Sequence, residues 1–336
     1  MPMSQQERAA ADARVRSALG VLRKGTQPDA PAMPPRPGSA AAVTASTKLP
    51  IDDEVYAIQQ YGYGEIWGRP ALKLTERSFL TLGVLAATAQ SDQLAIHVNN
   101  ALNLGITPDE ICETLLHVGV YAGGSIWHNA SNVVRYVFVE RGVLAPGSGA
   151  RPAANPPTTR EQRQTLAEQV RRALGPGRIG LDDDAPSLRP LPGAAVLTSI
   201  DTLPVEDDIA QIQLEYEYGE VWSRSALGLR TRAVITVAVM QALRMTGELH
   251  AHVNIALNLG VTPDELHEVF AHAGVYSGLA GWRNATNVAG DVFIQRGLLK
   301  ARTDSGQCVD VPLSGTDSSG PNELRHTFAT PEFGRE

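Results

Sequence analysis

One stretch of this sequence occurs twice, and the repetition limits the folds open to the chain. The first copy covers residues 61–144 and opens YGYGEIW, and the second covers residues 216–299 and opens YEYGEVW. The copies align without a gap at a constant offset of 155 residues, which pairs Glu65 with Glu220. A unit of this length is too long for a solenoid module and matches a small domain, so the sequence predicts an internal duplication of one fold.

The composition narrows the class of protein. The chain has 336 residues, enough for two ordinary domain cores, and 43% of them are hydrophobic. No apolar run is long enough to predict a transmembrane helix. A formal net charge of −7 without a basic cluster argues against nucleic acid or an anionic membrane surface as partner. Small molecules or other proteins are left as partners, and we expect a small-molecule substrate.

Two features of the sequence, its cysteines and its N-terminal segment, indicate the cellular compartment of the protein. Cys112 and Cys308 lie in unlike surroundings and read as free thiols of a reducing environment. Residues 4–20 are rich in alanine and arginine, but their ending RVRSALG recurs as QVRRALG at residues 169–175, inside the chain. Since a targeting signal has no reason to be copied there, the sequence predicts a structural helix at both places and a cytoplasmic protein.

Segments rich in proline, alanine and glycine separate the repeated units and cannot bury a core. The predicted divisions are an N-terminal helix at 1–23, a linker at 24–48, a first domain at 49–144, a linker at 145–159, a helix and proline-rich strap at 160–202, a second domain at 203–300 and a mobile tail at 301–336.

Apolar residues recur at helical spacing, and no segment alternates with period two for long enough to predict a strand. Thr107-Pro108-Asp109-Glu110 has the residues of a capping box with proline at the first helical position, and the same letters recur at 262–265. The predicted helices of the first half are 6–19, 50–61, 75–90, 92–104, one from this capping box to 121, and 127–141, with a turn at YGEIW. The predicted class is all-α, with two tandem helical bundles.

The helix after the capping box carries Glu113, His117 and Tyr121 at i, i+4 and i+8, and therefore on one face. A carboxylate one turn before an imidazole can hold its tautomer and raise its basicity, as a general acid or base requires. Alternatively the three form a surface ion pair beside a packed tyrosine. The second copy repeats the triplet as Glu268, His272 and Tyr276.

His97 and its copy His252 lie at the edge of an apolar helical stripe. Partial desolvation there tunes an imidazole for proton transfer, although such a histidine is more often only a satisfied core residue. No two of the four matched histidines have the short spacing of a helical metal motif, so the sequence predicts no metal.

Arg69 and Arg77 suit a carboxylate clamp or a helix cap, and Trp127 suits a pocket wall or the core.

The strings YGEIWGRPAL, ALNLGITPDEI and LLHVGVYAG, with their echoes in the second copy, closely resemble the gamma-carboxymuconolactone decarboxylase family of the alkylhydroperoxidase D-like superfamily. The resemblance implies helical domains assembled in rings, no cofactor and no metal, and removal of CO2 from a small carboxylated lactone. With six domains per ring, two-domain chains would form a homotrimer.

Carried over to this sequence, the resemblance assigns roles residue by residue. The expected proton donors are His97 and His252, with His117 and His272 close by and Glu65 and Glu220 as acid-base partners. The expected substrate-binding residues are Arg69, Arg224, Arg77, Arg232, Tyr121, Tyr276, Trp127, Trp282, His128, Arg283, Asn129 and Asn284. We expect each repeat to arrange its own histidine, carboxylate and arginine around one hollow.

Two departures from the family pattern matter. Tryptophan with His128 or Arg283 replaces the usual small residues after the YAG-like turn, which should reshape the pocket. The peroxidase branch has Cys-x-x-Cys before its histidine, but this chain has Gln90 and Gln93 there, so dithiol peroxidase activity is excluded. The leading hypothesis is a cofactor-free decarboxylase. An isomerase or lactone hydrolase using the same pocket and a non-catalytic ligand-binding or scaffold protein are the alternatives.

Overall fold

The computed structural model describes residues 4–20, 61–147, 159–175, 211–302 and 308–309. Both proline-rich straps, residues 50–60 of a predicted helix and most of the predicted tail lie outside these ranges. The described chain is helical, which confirms the predicted all-α class. The exception is a pair of two-residue antiparallel strands, Ala301–Arg302 (β1) with Cys308–Val309 (β2).

The same succession of helices occurs in both halves. In the first half the helices are α1 Gln5–Leu19, a π-helical segment Gly62–Trp67, α2 Leu74–Ala87, α3 Ser91–Asn103, α4 Pro108–Ala122 and α5 Gly124–Glu140. In the second half they are α6 Arg160–Leu174, a π-helical segment Gln213–Trp222, α7 Leu229–Leu243, α8 Thr246–Asn258, α9 Pro263–Ser277 and α10 Leu279–Gln295. The predicted helices within the described ranges are present, with ends shifted by up to three residues.

Local sequence signals place the ends of α4. The Thr107 side chain accepts a hydrogen bond from the Glu110 backbone, and the Glu110 carboxylate accepts one from the Thr107 backbone at 2.8 Å. This capping box satisfies two donors that a helix start otherwise leaves open. At the other end Gly123 has a φ of +93°, which separates α4 from α5 and which a side chain would strain.

The YGEIW segment is a π-helical segment rather than the predicted turn. It packs closely on α1, because a Cβ atom on Gly64 would lie 2.7 Å from the Arg8 carbonyl oxygen. In the second half a Cβ atom on Gly219 would likewise clash with the Arg163 carbonyl oxygen of α6. Glycine is therefore required where each π-helical segment meets the helix that precedes it.

The two repeats pack against each other through α2 and α7. Leu80 and Val84 of α2 belong to the core cluster that is built mostly by the second repeat, and Ile235 and Val239 of α7 belong to that of the first. Gly83 permits this close packing, since a Cβ atom there would lie 3.0 Å from Ile235. Helix α4 also packs on α7, and α9 packs on α2, so side chains of one repeat face the other. Across the described ranges, every helix is too short or too polar to span a membrane.

Candidate active site

Two clusters of buried polar and aromatic side chains lie between the repeats, and each takes residues from both. The Arg77 cluster contains Trp67, Arg69, Arg77, Thr81 and His97 of the first repeat and Glu268, His272 and Tyr276 of the second. The Arg232 cluster contains Trp222, Arg224, Arg232, Thr236 and His252 of the second repeat and Glu113, His117 and Tyr121 of the first. The expectation that each repeat forms its own pocket is therefore wrong.

In the Arg77 cluster, Glu268 binds two arginines of the other repeat. Arg77 Nη2 donates to Glu268 Oε2 at 3.0 Å, and Arg69 Nη2 lies 2.6 Å from Oε1. Arg77 Nη2 also donates to the Arg69 carbonyl oxygen at 3.0 Å. The Arg77 side chain has no exposed surface, so these charge-assisted bonds form away from water, where losing one partner is costly.

The Arg232 cluster repeats this arrangement around Glu113. Arg224 Nε donates to both carboxylate oxygens, at 3.0 and 2.8 Å, and Arg232 Nη2 donates to Oε1 at 2.7 Å. Arg232 Nη2 also donates to the Arg224 carbonyl oxygen at 2.8 Å. In each cluster two guanidinium groups share one carboxylate, so these three groups carry one positive charge in excess.

The hydrogen bonds of His272 fix its tautomer. The Thr81 hydroxyl donates to the Arg77 carbonyl oxygen at 2.9 Å and lies 2.8 Å from His272 Nε2. Because the hydroxyl proton is already used, Nε2 must carry hydrogen and donate to Thr81. Nδ1 then accepts from Arg77 Nη1 at 3.5 Å. Burial lowers the pKa of His272 well below its usual value, and the Arg77 charge lowers it further, so the ring is neutral at pH 7.

His117 has the equivalent neighbours, with Nε2 2.8 Å from the Thr236 hydroxyl and Nδ1 3.5 Å from Arg232 Nη1. Burial and the Arg232 charge lower the pKa of His117 in the same way. The sequence placed Glu113 one turn before His117 as the group that holds the imidazole. In the structure Thr236 of the other repeat does this, while Glu113 binds arginines.

His97 is 1% exposed and lies among aromatic rings. Its imidazole stacks on Trp67 with ring centroids 6.0 Å apart, and its edge contacts Tyr276 at 5.4 Å. Burial lowers the pKa of His97 to about 4, so the ring is neutral at pH 7. Its Nδ1 atom has no hydrogen-bond partner among the described residues. His252 stacks on Trp222 and contacts Tyr121 in the same manner.

A tyrosine hydroxyl in each cluster accepts an indole hydrogen. Trp67 Nε1 donates to Tyr276 and Trp222 Nε1 donates to Tyr121, both at 2.8 Å. Tyr121 in turn donates to Glu217 Oε1 at 2.9 Å. Burial, followed by the Glu217 charge, raises the pKa of Tyr121 well above its usual value, and burial raises that of Tyr276. Both tyrosines therefore keep their protons at neutral pH, and Tyr121 donates its proton to Glu217.

The Arg232 cluster opens on a cavity of about 390 Å³. His252, Tyr121 and Glu217 form its buried part, while Tyr216, 54% exposed, and the exposed Glu248 mark its mouth. Gln213 and Tyr218 also line the cavity, and apolar side chains supply the rest of the described wall: Val120, Ile212, Met240, Met245, Ala251 and Ile255. A cavity with a largely apolar wall and a few convergent polar groups is the usual form of a small-molecule site.

A second cavity of about 640 Å³ lies beyond Glu113 and Arg224. Trp127 lines it and is 42% exposed, as the pocket-wall interpretation of this residue requires. His252 and Tyr121 line the first cavity, so of these two cavities one carries the expected histidine donor and the other an expected arginine clamp.

Several other sequence candidates lie outside the clusters. Glu65 accepts from Arg8 Nε of α1 at 2.7 Å, and Glu220 is a half-buried residue of the second π-helical segment. Trp282 is half-buried and packs against Gly274. Four candidates are exposed at the starts of α5 and α10: His128, Asn129, Arg283 and Asn284. Within the described ranges, no group of three or more histidine, cysteine, aspartate or glutamate side chains is placed to hold a metal ion.

Sequence reasoning missed Thr81, Thr236 and Glu217. A signal was present for the threonines, because each lies four residues after a matched arginine and hence one turn along the same helix. Glu217 also had a signal, since Gly62 stands at its position in the first copy, within otherwise similar strings.

Fold and site together define an all-helical protein of two tandem repeats with two polar sites between them. The model of the Carboxymuconolactone decarboxylase family matches residues 53–136 and 207–291, half of the chain. The chain therefore belongs to this family, which confirms the resemblance and the tandem duplication.

Two curated relatives carry decarboxylase names. The chain is 41% identical over 83 residues to 4-carboxymuconolactone decarboxylase of Acinetobacter baylyi, a match that covers 25% of this chain and 62% of the relative. It is 39% identical over 66 residues to nitrosuccinic acid decarboxylase of Metarhizium robertsii, covering 20% of this chain and 46% of the relative. The matches span less than two thirds of each relative.

Proposed function

We propose that this protein is a carboxy-lyase that removes CO2 from a small organic acid at the two clusters between its repeats. Membership of the family and the decarboxylase names of two relatives support the reaction class. The observation that carries the proposal is the 390 Å³ cavity in which the buried His252 imidazole and the Tyr121 hydroxyl converge.

Decarboxylation needs an acceptor for the electron pair of the broken bond. When the bond between carbon and carboxylate breaks, CO2 leaves and the electron pair moves into a neighbouring carbonyl as an enolate. A proton then adds to the carbon and restores the neutral product. Donors aimed at the enolate oxygen and exclusion of water both lower the barrier, because charge that develops away from water depends on fixed partners.

The Tyr276 hydroxyl suits the donor role, because it receives the Trp67 N–H on its oxygen, which stabilises negative charge there when the tyrosine shares its proton with an enolate. Tyr121 receives the Trp222 N–H in the same way, but its proton binds Glu217, so it meets an enolate only after turning from that carboxylate. In our proposal His97 and His252 deliver the proton to carbon as neutral imidazoles, since the pKa of His97 is too low for an imidazolium at pH 7.

The arginines act differently from the clamps that the sequence suggested. Arg77 and Arg232 are fully buried, and their Nη atoms donate to a glutamate, a histidine and a carbonyl oxygen. They therefore position the histidines and supply positive charge rather than contact the substrate. Arg69, whose side chain is 44% exposed, remains able to meet a substrate carboxylate directly.

The test is CO2 release from 4-carboxymuconolactone, nitrosuccinic acid and a panel of related small acids. We expect turnover by the wild-type protein and a loss of about 100-fold or more when His97→Gln and His252→Gln are combined. The control is Arg230→Gln, which removes the ion pairs of Arg230 with Glu76 of the first repeat and with Glu265 of its own repeat, outside both clusters.

Two outcomes would contradict the proposal. One is undiminished CO2 release by the double variant, which would remove the histidines from the reaction. The other is conversion of the acids without CO2, followed by ultraviolet absorbance, which would favour an isomerase or lactone hydrolase in the same cavity.

A further inference from the structure

The 640 Å³ cavity is a second concave site, separate from the 390 Å³ cavity that holds His252. Helices α4 and α5 form most of its wall, the segment that follows α5 forms one edge, and residues 224–226 of the second repeat form another. Histidine and tyrosine are absent from the described residues that line it. The groups that would move a proton in the first cavity therefore have no counterpart here, which suits binding rather than the proposed reaction.

The wall of this cavity offers apolar surface to a ligand. Trp127 and Val143 line it and are 42% and 37% exposed, although both side chains are hydrophobic. The other large apolar side chains of the wall are Leu115, Leu116, Val134, Phe138, Val139 and Leu144. Burying apolar surface contributes roughly 25 cal/mol per Å², so the apolar body of a ligand would be stabilised against this wall. The volume is within the usual range of small-molecule sites.

Arg224 supplies a charged group on one side of the cavity. Its Nε atom donates to both oxygens of Glu113, at 3.0 and 2.8 Å, and 17% of the Arg224 side chain is exposed. A guanidinium has five N–H donors in a planar fork, and both of these bonds use the single N–H of Nε. The Nη groups can therefore donate to a ligand, and a carboxylate matches them with two parallel bonds.

The charges around the cavity favour an anion. The charged lining residues are two cations and two carboxylates: Arg135, Arg224, Asp109 and Glu113. Behind Glu113 lies Arg232, which has no exposed side-chain surface and donates to Glu113 Oε1 at 2.7 Å. With this buried guanidinium the group carries one positive charge in excess, and buried charges are screened less by salt than exposed ones.

The second copy does not repeat these cavity residues. At the offset of 155, Cys112 is matched by His267, whose ring packs on Phe293 with ring centroids 5.9 Å apart. The cationic Arg135 is matched by Gly290. The first copy therefore has a smaller side chain at one position of the wall and a positive charge at another, so the site belongs to the first repeat rather than to the duplicated unit.

We propose that the 640 Å³ cavity binds a small organic acid with an aromatic or aliphatic body. The carboxylate pairs with the Nη groups of Arg224, and the body packs against Trp127 and the apolar side chains of α4 and α5. This inference goes beyond the proposed decarboxylation, because it concerns a separate cavity and does not depend on any reaction in the first one.

The repeat supplies a matched pair of variants that locate the site. Ala226 lines the cavity and is exposed, and its counterpart in the first copy, Ala71, is also exposed but is not part of the cavity wall. Ala226→Trp places an indole in the cavity, and Ala71→Trp places one at the equivalent position outside it. Arg224→Gln removes the charge that the ligand is proposed to meet.

The experiment is isothermal titration calorimetry of the full chain with 4-phenylbutyrate, 4-phenylbutanol and 4-phenylbutylammonium, three probes with one body and different charge. We expect the wild-type protein to bind 4-phenylbutyrate most tightly. Arg224→Gln should weaken 4-phenylbutyrate about tenfold or more and leave 4-phenylbutanol unchanged, because it removes charge-assisted bonds only. Ala226→Trp should weaken both probes, and Ala71→Trp neither. Circular dichroism checks that each variant is folded.

Three results would overturn the inference: no binding of 4-phenylbutyrate by the wild-type protein at millimolar concentration, equal affinity of wild type and Ala226→Trp for it, or tighter binding of 4-phenylbutylammonium. If Arg224→Gln does not fold, the comparison of Ala226→Trp with Ala71→Trp decides.

This inference and the proposed function fail separately. His252→Gln should leave the binding of 4-phenylbutyrate unchanged, because His252 lines the other cavity. Absence of CO2 release with the expected probe binding would remove only the proposed function. CO2 release that depends on His252, without probe binding, would remove only the acid site.

Discussion

Glu113→Gln tests whether the buried ion network holds the two repeats together. Glu113 belongs to α4 of the first repeat, and its three charge-assisted bonds go to Arg224 and Arg232 of the second. The Glu113 side chain is 3% exposed and that of Arg232 has no exposed surface. A glutamine at this position keeps one acceptor and the volume, but leaves Arg232 buried without its counter-charge.

The expected cost follows from these contacts. The glutamine amide has one acceptor oxygen where the carboxylate has two, and it lacks the charge that strengthens all three bonds. A hydrogen bond to a charged group contributes roughly 1.5–3 kcal/mol to stability. Removing one partner of a buried ion pair destabilises proteins by about 3–5 kcal/mol, so we expect Glu113→Gln to lower the free energy of unfolding by about 3 kcal/mol. The matched control Glu65→Gln breaks the pair with Arg8, which is 36% exposed, and should cost less than about 1 kcal/mol.

The assay is equilibrium unfolding in urea followed by circular dichroism at 222 nm. Because the network joins the repeats, the wild-type protein should unfold in one transition, and Glu113→Gln should shift its midpoint far more than Glu65→Gln. Equal shifts for the two variants would refute the argument that burial makes the Glu113 network strong. Two separate transitions in the wild-type protein would refute the claim that the repeats depend on each other.

Further predictions concern pH and packing. The free energy of unfolding should fall as pH drops from 6.5 towards 4, because burial lowers the pKa of His97 from its reference value of 6.5 to about 4 and the unfolded chain takes up the proton first. His97→Gln should remove the contribution of this one titrating group, which amounts to about 3 kcal/mol in the free energy of unfolding between the two pH values. Urea unfolding at a series of pH values measures this contribution. Gly219→Ala should destabilise the fold by about 2 kcal/mol, because its Cβ atom would overlap the Arg163 carbonyl oxygen. Gly247→Ala, at an open position in a helix, should instead stabilise the fold by up to about 1 kcal/mol. Thermal or urea unfolding measures both changes.

The sequence predicted the helices because their signals are local. The capping box of Thr107 and Glu110 and the glycine at 123 act within one or two turns, so their effect was readable without the fold. The partners of Glu113 were not readable in this way, since Arg232 lies 119 residues along the chain. Helical spacing showed that Glu113 and His117 share a face but not that this face packs against the other repeat.

The π-helical segments were missed for a related reason. The string YGYGEIW contains two glycines among aromatic residues, which locally favours a turn. In the structure Gly64 serves close packing, because it lies against the backbone of Arg8. Only the approach of α1, which comes from more than 50 residues earlier in the chain, shows why glycine is needed.

The composite clusters also explain what tandem duplication makes possible. A single repeat would expose Arg77 and Glu113 without their partners, so it would need a second copy to complete either cluster. In a dimer of identical repeats both clusters must share every substitution, because each is built from the same two surfaces. Linking the copies in one chain makes their association intramolecular and lets the two surfaces differ. Glu217 opposite Gly62 is such a difference, and it gives one cluster a buried carboxylate that the other lacks at that position.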